Sequence, residues 1–423
     1  MRSASLFPLL SVALLACADG IAAQGTRLDD QVARAPDGPV QFHFASRSDA
    51  CGNGETMLRV GSSVVMYNGG AGDVPCQAGP ARVELVKADG EIIRVRAFVG
   101  PLPGNVPGTD LGRVGAREAA GWLLELAATA EGRPGRDAIF PATLADSTVL
   151  TDPLLDLARN RSLSRQVRTS ATGAAAREVS RHPESGARIR ETLLALARDA
   201  REPTWMRTQS LRTLGRLPDG SGVPALLDLH RGSDPLLGKE VVSALASTDD
   251  PRARDALRGL VRGADTREGE LREAIRGLGR QYATGEDAAL LRERYSSFPS
   301  KSAREAVIAV LGDVGGSENV QWLLARAARD DEVTTIRTRA LRAAARAGGQ
   351  PEEIARVGAE GNSQIRETIV TELLQIGSES AIETALSLVS GETDTRVQRR
   401  LVSRLSRSEH PKVRAFLQTL VER

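Results

Sequence analysis

Apolar residues in the last half of the chain recur at helical spacing, and the pattern closes on a small residue at regular intervals. From about residue 207 the closing runs are Leu211-Arg-Thr-Leu-Gly215, Val242-Ser-Ala-Leu-Ala246, Ile275-Arg-Gly-Leu-Gly279, Ile308-Ala-Val-Leu-Gly312, Leu341-Arg-Ala-Ala-Ala345, Leu373-Leu-Gln-Ile-Gly377 and Val402-Ser-Arg-Leu-Ser406, spaced 29 to 33 residues apart. A unit of about 32 residues repeated seven times predicts a stack of antiparallel helix pairs, because one such unit cannot bury its apolar face alone. In one predicted helix Ala253, Ala256, Leu257, Leu260 and Val261 gather on one face at 100° per residue. Two units later Val320, Leu323, Leu324, Ala327 and Ala328 do the same.

Upstream the period changes to two. Val40-Gln-Phe-His-Phe44 alternates, as do Met57-Leu-Arg-Val60 and, less cleanly, Ser63 to Tyr67, with Gly-rich turns between them (52–54 and 69–72). Ala81 to Val99 reads as a hairpin around Ala88-Asp89-Gly90. A three-residue loop with Gly90 left-handed places Val83, Leu85, Ile93 and Val95 on one face and Arg82, Glu84, Arg94 and Arg96 on the other. Pro101, Pro103, Gly104, Pro107 and Gly108 suggest a linker, and helical spacing begins at Ala116. The expected organisation is an export signal over 1–23, a flexible lead-in over 24–39, a small β module over 40–100, a Pro/Gly linker over 101–115 and the helical stack over 116–423. No strand is expected after residue 100.

The fold class expected is mainly α: an α-solenoid preceded by a small disulfide-linked all-β module. A module of about 60 residues barely sustains a core. Once an export signal is removed, Cys51 and Cys76 are the cysteines that remain. An even count in an oxidising compartment points to a disulfide, worth about 3–4 kcal/mol by loop-closure entropy. The rival, a metal site, has His43 as its nearby candidate ligand.

The signal itself rests on Arg2, the apolar run Leu6 to Ala16 and small residues before Gln24. That run is shorter than the roughly 20 residues a bilayer needs. Leu14-Leu15-Ala16-Cys17 offers a second reading, a lipoprotein box with lipid on Cys17, although Leu15 stands where such boxes usually carry a small residue. Both readings export the chain.

The two-helix unit, its openings Asp234-Pro235 and Asp250-Pro251-Arg252, and its Ala/Leu-rich helices closing on Gly resemble HEAT repeats. The closest type is the short one of exported bacterial HEAT-like proteins, and the likeness covers roughly Ala116 to Arg423. Tetratricopeptide units would run to 34 residues with aromatic signatures, and armadillo units would be longer. The resemblance implies a solenoid whose second helices line the concave side. It is weak for function, since bacterial HEAT-like families include DNA glycosylases and bilin lyases.

Composition adds little direction. Of 56 basic residues four are lysines (Lys87, Lys239, Lys301, Lys412), leaving 52 arginines, and the formal net charge is +2. Arginine suits bidentate anion recognition, but a GC-rich genome would give the same bias, and the near-neutral balance marks no nucleic-acid binder. The sequence has no Gly-x-Ser-x-Gly, no Gly-Lys-Ser/Thr and no His-Glu-x-x-His, and Gly238-Lys239 runs into Glu240. His43, His182, His230 and His410 fall in different units. No cofactor or metal is expected.

The favoured reading is an exported, non-enzymatic scaffold that holds a protein or peptide partner of the cell envelope, without nucleic acid and without a membrane span. The alternatives are a polyanion or polymer binder acting through Arg clusters, and an enzyme with its site where the β module meets the first repeats. For the scaffold, Asp255, Arg258, Arg262, Trp322 and Arg329 project opposite the apolar stripes and are the candidate binding residues. A modest helix rotation would instead tuck Trp322 against the neighbouring unit.

Overall fold

The computed structural model describes residues 27–61, 63–66, 75–104, 107–232, 237–280, 283–358 and 362–421. The export segment with Cys17, the turn over 69–72, Tyr67 and the Asp234-Pro235 opening lie outside the described residues. The chain divides into two compact units, Met1–Thr148 and Val149–Arg423.

The first unit is built on strands β1 (Gly38–Phe44), β2 (Ala50–Gly52), β3 (Met57–Val60), β4 (Ser63–Met66), β5 (Ala81–Ala88), β6 (Glu91–Val99) and β7 (Thr109–Arg113). One sheet has the order β6-β5-β1-β7 and a smaller one the order β2-β3-β4. Val40, Phe42 and Phe44 of β1 are fully buried, as the alternation requires. Cys51 on β2 is joined to Cys76, with Cα atoms 5.2 Å apart. The bridge sits beside the Gly52–Gln77 backbone pair, so it ties the small sheet to the segment leading into β5.

Four expectations for this unit need correction. The lead-in over 24–39 contains helix α1 (Leu28–Arg34), with Leu28 and Val32 buried. The linker over 101–115 contains β7, which pairs in parallel with β1, so a strand does follow residue 100. The helices α2 (Ala116–Thr129) and α3 (Arg133–Ala142) belong to this unit rather than to the solenoid: the Trp122 indole of α2 meets Phe42 edge-on at 5.8 Å, and α3 packs on β6. The hairpin loop has two residues, not three, with Asp89 (φ 52) and Gly90 (φ 78) both left-handed. An extra residue is instead taken up one step later, where Val86 faces Arg94 but Lys87 faces Ile92. That bulge restores Val83, Leu85, Val95 and Ala97 to the core and leaves Ile93 54% exposed.

The second unit is a two-layer stack of helices. The first helices of successive pairs include Thr151–Arg159, Gly186–Arg198, Val223–Arg231, Pro251–Arg262, Gly285–Arg294 and Ser317–Ala328. The second helices are Arg165–Arg181, Thr204–Gly215, Gly238–Leu245, Glu268–Leu278, Lys301–Val314, Thr334–Arg346, Ser363–Ile376 and Thr395–Leu405. All seven closing runs fall on second helices, and no strand lies in this unit among the described residues. Second helices approach one another more closely than first helices do.

The closing residues explain that approach. A Cβ on Gly215 would stand 2.4 Å from the Ala244 carbonyl oxygen of the next second helix, and one on Gly279 would stand 2.4 Å from Val310. Of the glycines that close these runs, Gly377 is the one at a left-handed C-cap (φ 67). The small residue is therefore chiefly a spacer between repeats. The opening Asp250-Pro251-Arg252 is a helix start, with the Asp250 carboxylate accepting from Arg252 N at 2.8 Å and Pro251 in the first turn.

Candidate functional site

Many arginines of the stack serve the fold. Arg168 donates from Nε to the Ala158 carbonyl at 2.8 Å, Arg207 to Ala197 at 2.9 Å and Arg337 to Ala327 at 2.8 Å. Each reaches back ten residues to the end of its first helix, where carbonyls lack intrahelical donors and the dipole favours a cation. Reading arginine as a matter of genome composition missed this; the signal was the recurring apolar-Arg pair (Val167-Arg168, Met206-Arg207, Ile336-Arg337) opening second helices.

A second set of arginines points outward on the layer of second helices. Arg280 donates to Glu273 at 3.0 Å, Arg339 pairs with Glu305 at 3.4 Å, Arg342 with Glu372 at 3.5 Å and Arg400 with Glu367 at 2.7 Å. In every pair the carboxylate is the sunken partner, 7–22% exposed, whereas the arginine side chains are 42–56% exposed. Arg276, which also pairs with Glu273 at 3.7 Å, and Arg342 stand three residues before their closing residue, and Arg339 and Arg400 six before theirs, while Arg280 follows its closing residue Gly279. Burial raises the pKa of Glu372, with Arg342 opposing it.

The candidate residues named from sequence are placed differently. Pro251–Arg262 and Ser317–Ala328 are first helices, each packing chiefly on the second helix that follows it, so their residues lie on the layer of wider spacing. The apolar stripes hold: Ala253, Leu257 and Val261 are buried, as are Val320, Leu323, Leu324 and Ala327, while Ala328 is exposed. Arg258, 14% exposed, is spent on the next unit, donating from Nε to Asp287 at 2.7 Å and pairing with Glu286 at 3.0 Å. Asp255 is exposed and pairs with Arg258 at 3.5 Å. Arg262 is exposed, and its carbonyl accepts from Arg294 at 3.2 Å. Arg329 is exposed and donates from Nε to Asp331 at 2.8 Å.

Trp322 is half-buried. Its ring meets Tyr295 of the preceding unit edge-on at 4.9 Å, and the Arg326 guanidinium lies 5.0 Å from the Trp322 centroid and 4.9 Å from that of Tyr295. Burial pushes the Tyr295 phenol up. The five candidates thus fall into inter-unit contacts and separate exposed positions rather than one surface.

His230 lines a cavity of 360 Å³ with Leu229, Gly238 and Glu270, and its Nδ1 is buried without a hydrogen-bond partner. His182 pairs with Glu184 at 3.3 Å. Among the described residues no group of three or more His, Cys, Asp or Glu side chains is placed to hold a metal ion, and no helix is long and apolar enough to cross a membrane.

Comparison with known proteins agrees with this architecture. HEAT repeats match residues 190–270. The same helix pairs continue on both sides of that segment, so the matched HEAT repeats lie within a longer helical stack. No curated protein matches it in sequence. Among solved structures, human deoxyhypusine hydroxylase in complex with glycerol is similar at 20% identity and a TM-score of 0.29, over 57% of this chain and 92% of that one. The complex of CpcE and CpcF of phycocyanin lyase from Nostoc sp. PCC7120 is similar at 16% identity and a TM-score of 0.23, over 64% of this chain and 95% of that one. At those scores neither bears on what this chain does.

Proposed function

We propose that this protein is an exported binding scaffold whose layer of second helices holds an acidic segment of a protein partner in the cell envelope. The observation that carries the reading is the row of half-exposed arginines, each held from beneath by a sunken glutamate. A guanidinium already oriented by one carboxylate loses little freedom on meeting a second, and its fork matches carboxylate geometry bidentately. Export is supported by the signal-like residues 1–23 and by the Cys51–Cys76 bridge, which suits an oxidising compartment. Whether the mature chain begins near Gln24 or at a lipidated Cys17 is decided by its N-terminal mass. An intact Met1 in native cells would overturn export.

The test exploits the pairing. Exchanging Glu305→Arg with Arg339→Glu keeps the pair between these two positions, gives up only the long, exposed Lys301–Glu305 contact at 3.8 Å, and reverses what the face presents. Affinity capture of the mature protein from its native envelope should yield a partner whose recovery falls at least about tenfold with the exchanged chain, while the melting curve is unchanged. Equal recovery by both chains would overturn the reading. A partner that proves to be a non-protein polyanion, with affinity falling steeply in salt, would transfer the same arginines to the polymer-binding alternative.

A further inference from the structure

The first unit contains an open cleft of 930 Å³ that has no part in the stack. Its walls are α1, the tip of the β5–β6 hairpin, the outer half of α2 and the turn into α3. Its apolar lining includes Ile93, Trp122, Leu126 and Pro134. Carboxylates surround it: Asp29, Glu91, Glu125 and Glu131.

Three features distinguish this cleft from an accidental surface dip. The bulge in β6 turns Ile93 out of the core, leaving a large aliphatic side chain 54% exposed in a cleft that Trp122 also lines. Burying it would favour binding, as with any exposed apolar surface. The second feature is rigidity. The Lys87 amine, 6% exposed, donates to the carbonyls of Val32 (2.8 Å), Ala33 (3.2 Å) and Ala35 (2.6 Å), and Glu118 accepts from Leu28 N at 2.8 Å, so α1 is held at both ends. The third is charge. Lys87 and Arg133 are the cations among the described lining residues, and Lys87 is already spent on α1. Glu91, Glu125 and Glu131 are exposed, with no cation paired to them among the described residues. Asp29 is exposed and accepts from Trp122 Nε1 at 3.3 Å.

We propose that this cleft binds a short polypeptide segment in which arginine or lysine alternates with aliphatic residues. The aliphatic side chains pack on Ile93 and Trp122, and the cations meet the carboxylate rim. Charge complementarity selects this occupant: a purely apolar ligand would partly desolvate the unpaired Glu91, Glu125 and Glu131 without compensation, and an acidic one would be repelled. A cleft of this volume lies in the range of about 300–1,000 Å³ typical of ligand sites. The inference is independent of the arginine row in the second unit, which calls for a partner of opposite charge.

The test uses the full mature chain and a blocked hexapeptide of alternating arginine and leucine as the probe, with titration calorimetry as the readout. Saturable binding is expected, weakened as salt rises. A peptide of the same length with glutamate in place of arginine should not bind. Ile93→Lys should weaken binding at least about tenfold, and Glu125→Gln with Glu131→Gln should weaken it severalfold. These positions are exposed, so an unchanged melting curve accompanies both variants. Unchanged affinity in both variants, or equal binding of the glutamate peptide, would overturn the proposal. Self-association of the chain that Ile93→Lys abolishes, without peptide binding, would assign the cleft to a second copy and equally overturn it.

Discussion

Arg258 and Asp287 meet at 2.7 Å across two consecutive first helices, and the aspartate side chain is 1% exposed. Arg254 donates to the same carboxylate, and Thr284 forms a capping box with it. Burial works against the charged form, yet the bonds from Thr284 and Arg258 and the nearby Arg254 hold its pKa below the ordinary value of 3.8. One carboxylate therefore closes a helix start and two inter-unit ion pairs.

Replacing Asp287 with Ala should cost about 1–3 kcal/mol, since it leaves the Arg254 guanidinium without its carboxylate and Arg258 with only Glu286 and Asp255. The sign of the pH dependence follows from the depressed pKa. The stabilisation is full above the unfolded value of 3.8 and is lost as pH falls through the lower folded value. Urea titrations at neutral pH and below pH 4 check this: the variant should be much weaker at neutral pH, and the gap should narrow in acid.

The spacing of small residues predicts a second result. Gly215→Ala would force a methyl group to within 2.4 Å of the Ala244 carbonyl, so the two second helices must separate, at a cost of about 1–3 kcal/mol. Gly259, in the middle of a first helix, has nothing within 4 Å of its would-be Cβ. Gly259→Ala should instead stabilise by up to about 1 kcal/mol through helix propensity. Thermal melts of the two variants should move in opposite directions.

These glycines also show why the stack was legible from sequence. A close approach demands a small residue once per unit, and that demand writes a period into the chain. The segments that escaped are those whose order comes from distant partners. Helix α1 has seven residues and two buried side chains, and it exists because Lys87 and Glu118 hold its ends. Strand β7 is half-exposed at a sheet edge and carries no alternation. The alternation gives the hairpin faces but not the bulge that sets them, so it places Ile93 in the core, whereas the structure exposes it at the acidic cleft. Of the candidate site, the arginines were noticed as a composition. Their division into buried carbonyl donors and outward-facing pairs depends on which helix end or glutamate each one meets.

The disulfide gives a third prediction. The small sheet β2-β3-β4 has little core of its own, so removing the Cys51–Cys76 tie by Cys51→Ser with Cys76→Ser should destabilise the first unit by about 2–5 kcal/mol. The helical stack should be largely untouched. Trp122 fluorescence, isolated by replacing Trp205 and Trp322 with Phe, should unfold at lower urea, while the circular-dichroism transition of the helices stays in place. Thiol labelling of the unfolded mature chain should find no free thiol before reduction and two after it.

Trp322 provides the last prediction, because its two readings differ in what they do to stability. The indole meets the Tyr295 ring edge-on at 4.9 Å, and Arg326 covers both rings. Such a pair contributes about 0.5–1.5 kcal/mol beyond the area it buries. Trp322→Ala should therefore lower the melting temperature by several degrees, and Trp322→Phe should recover most of the loss by restoring a ring against Tyr295. Arg329→Glu removes an exposed pair with Asp331, which solvent screens, and should leave the melting curve in place. If Trp322→Ala left the melting curve in place while abolishing partner capture, the ring would be a binding residue, and the contact with Tyr295 would be incidental to the stack. A loss of stability with capture intact in the folded fraction makes Trp322 a packing residue between repeats, and leaves recognition to the arginines on the other layer.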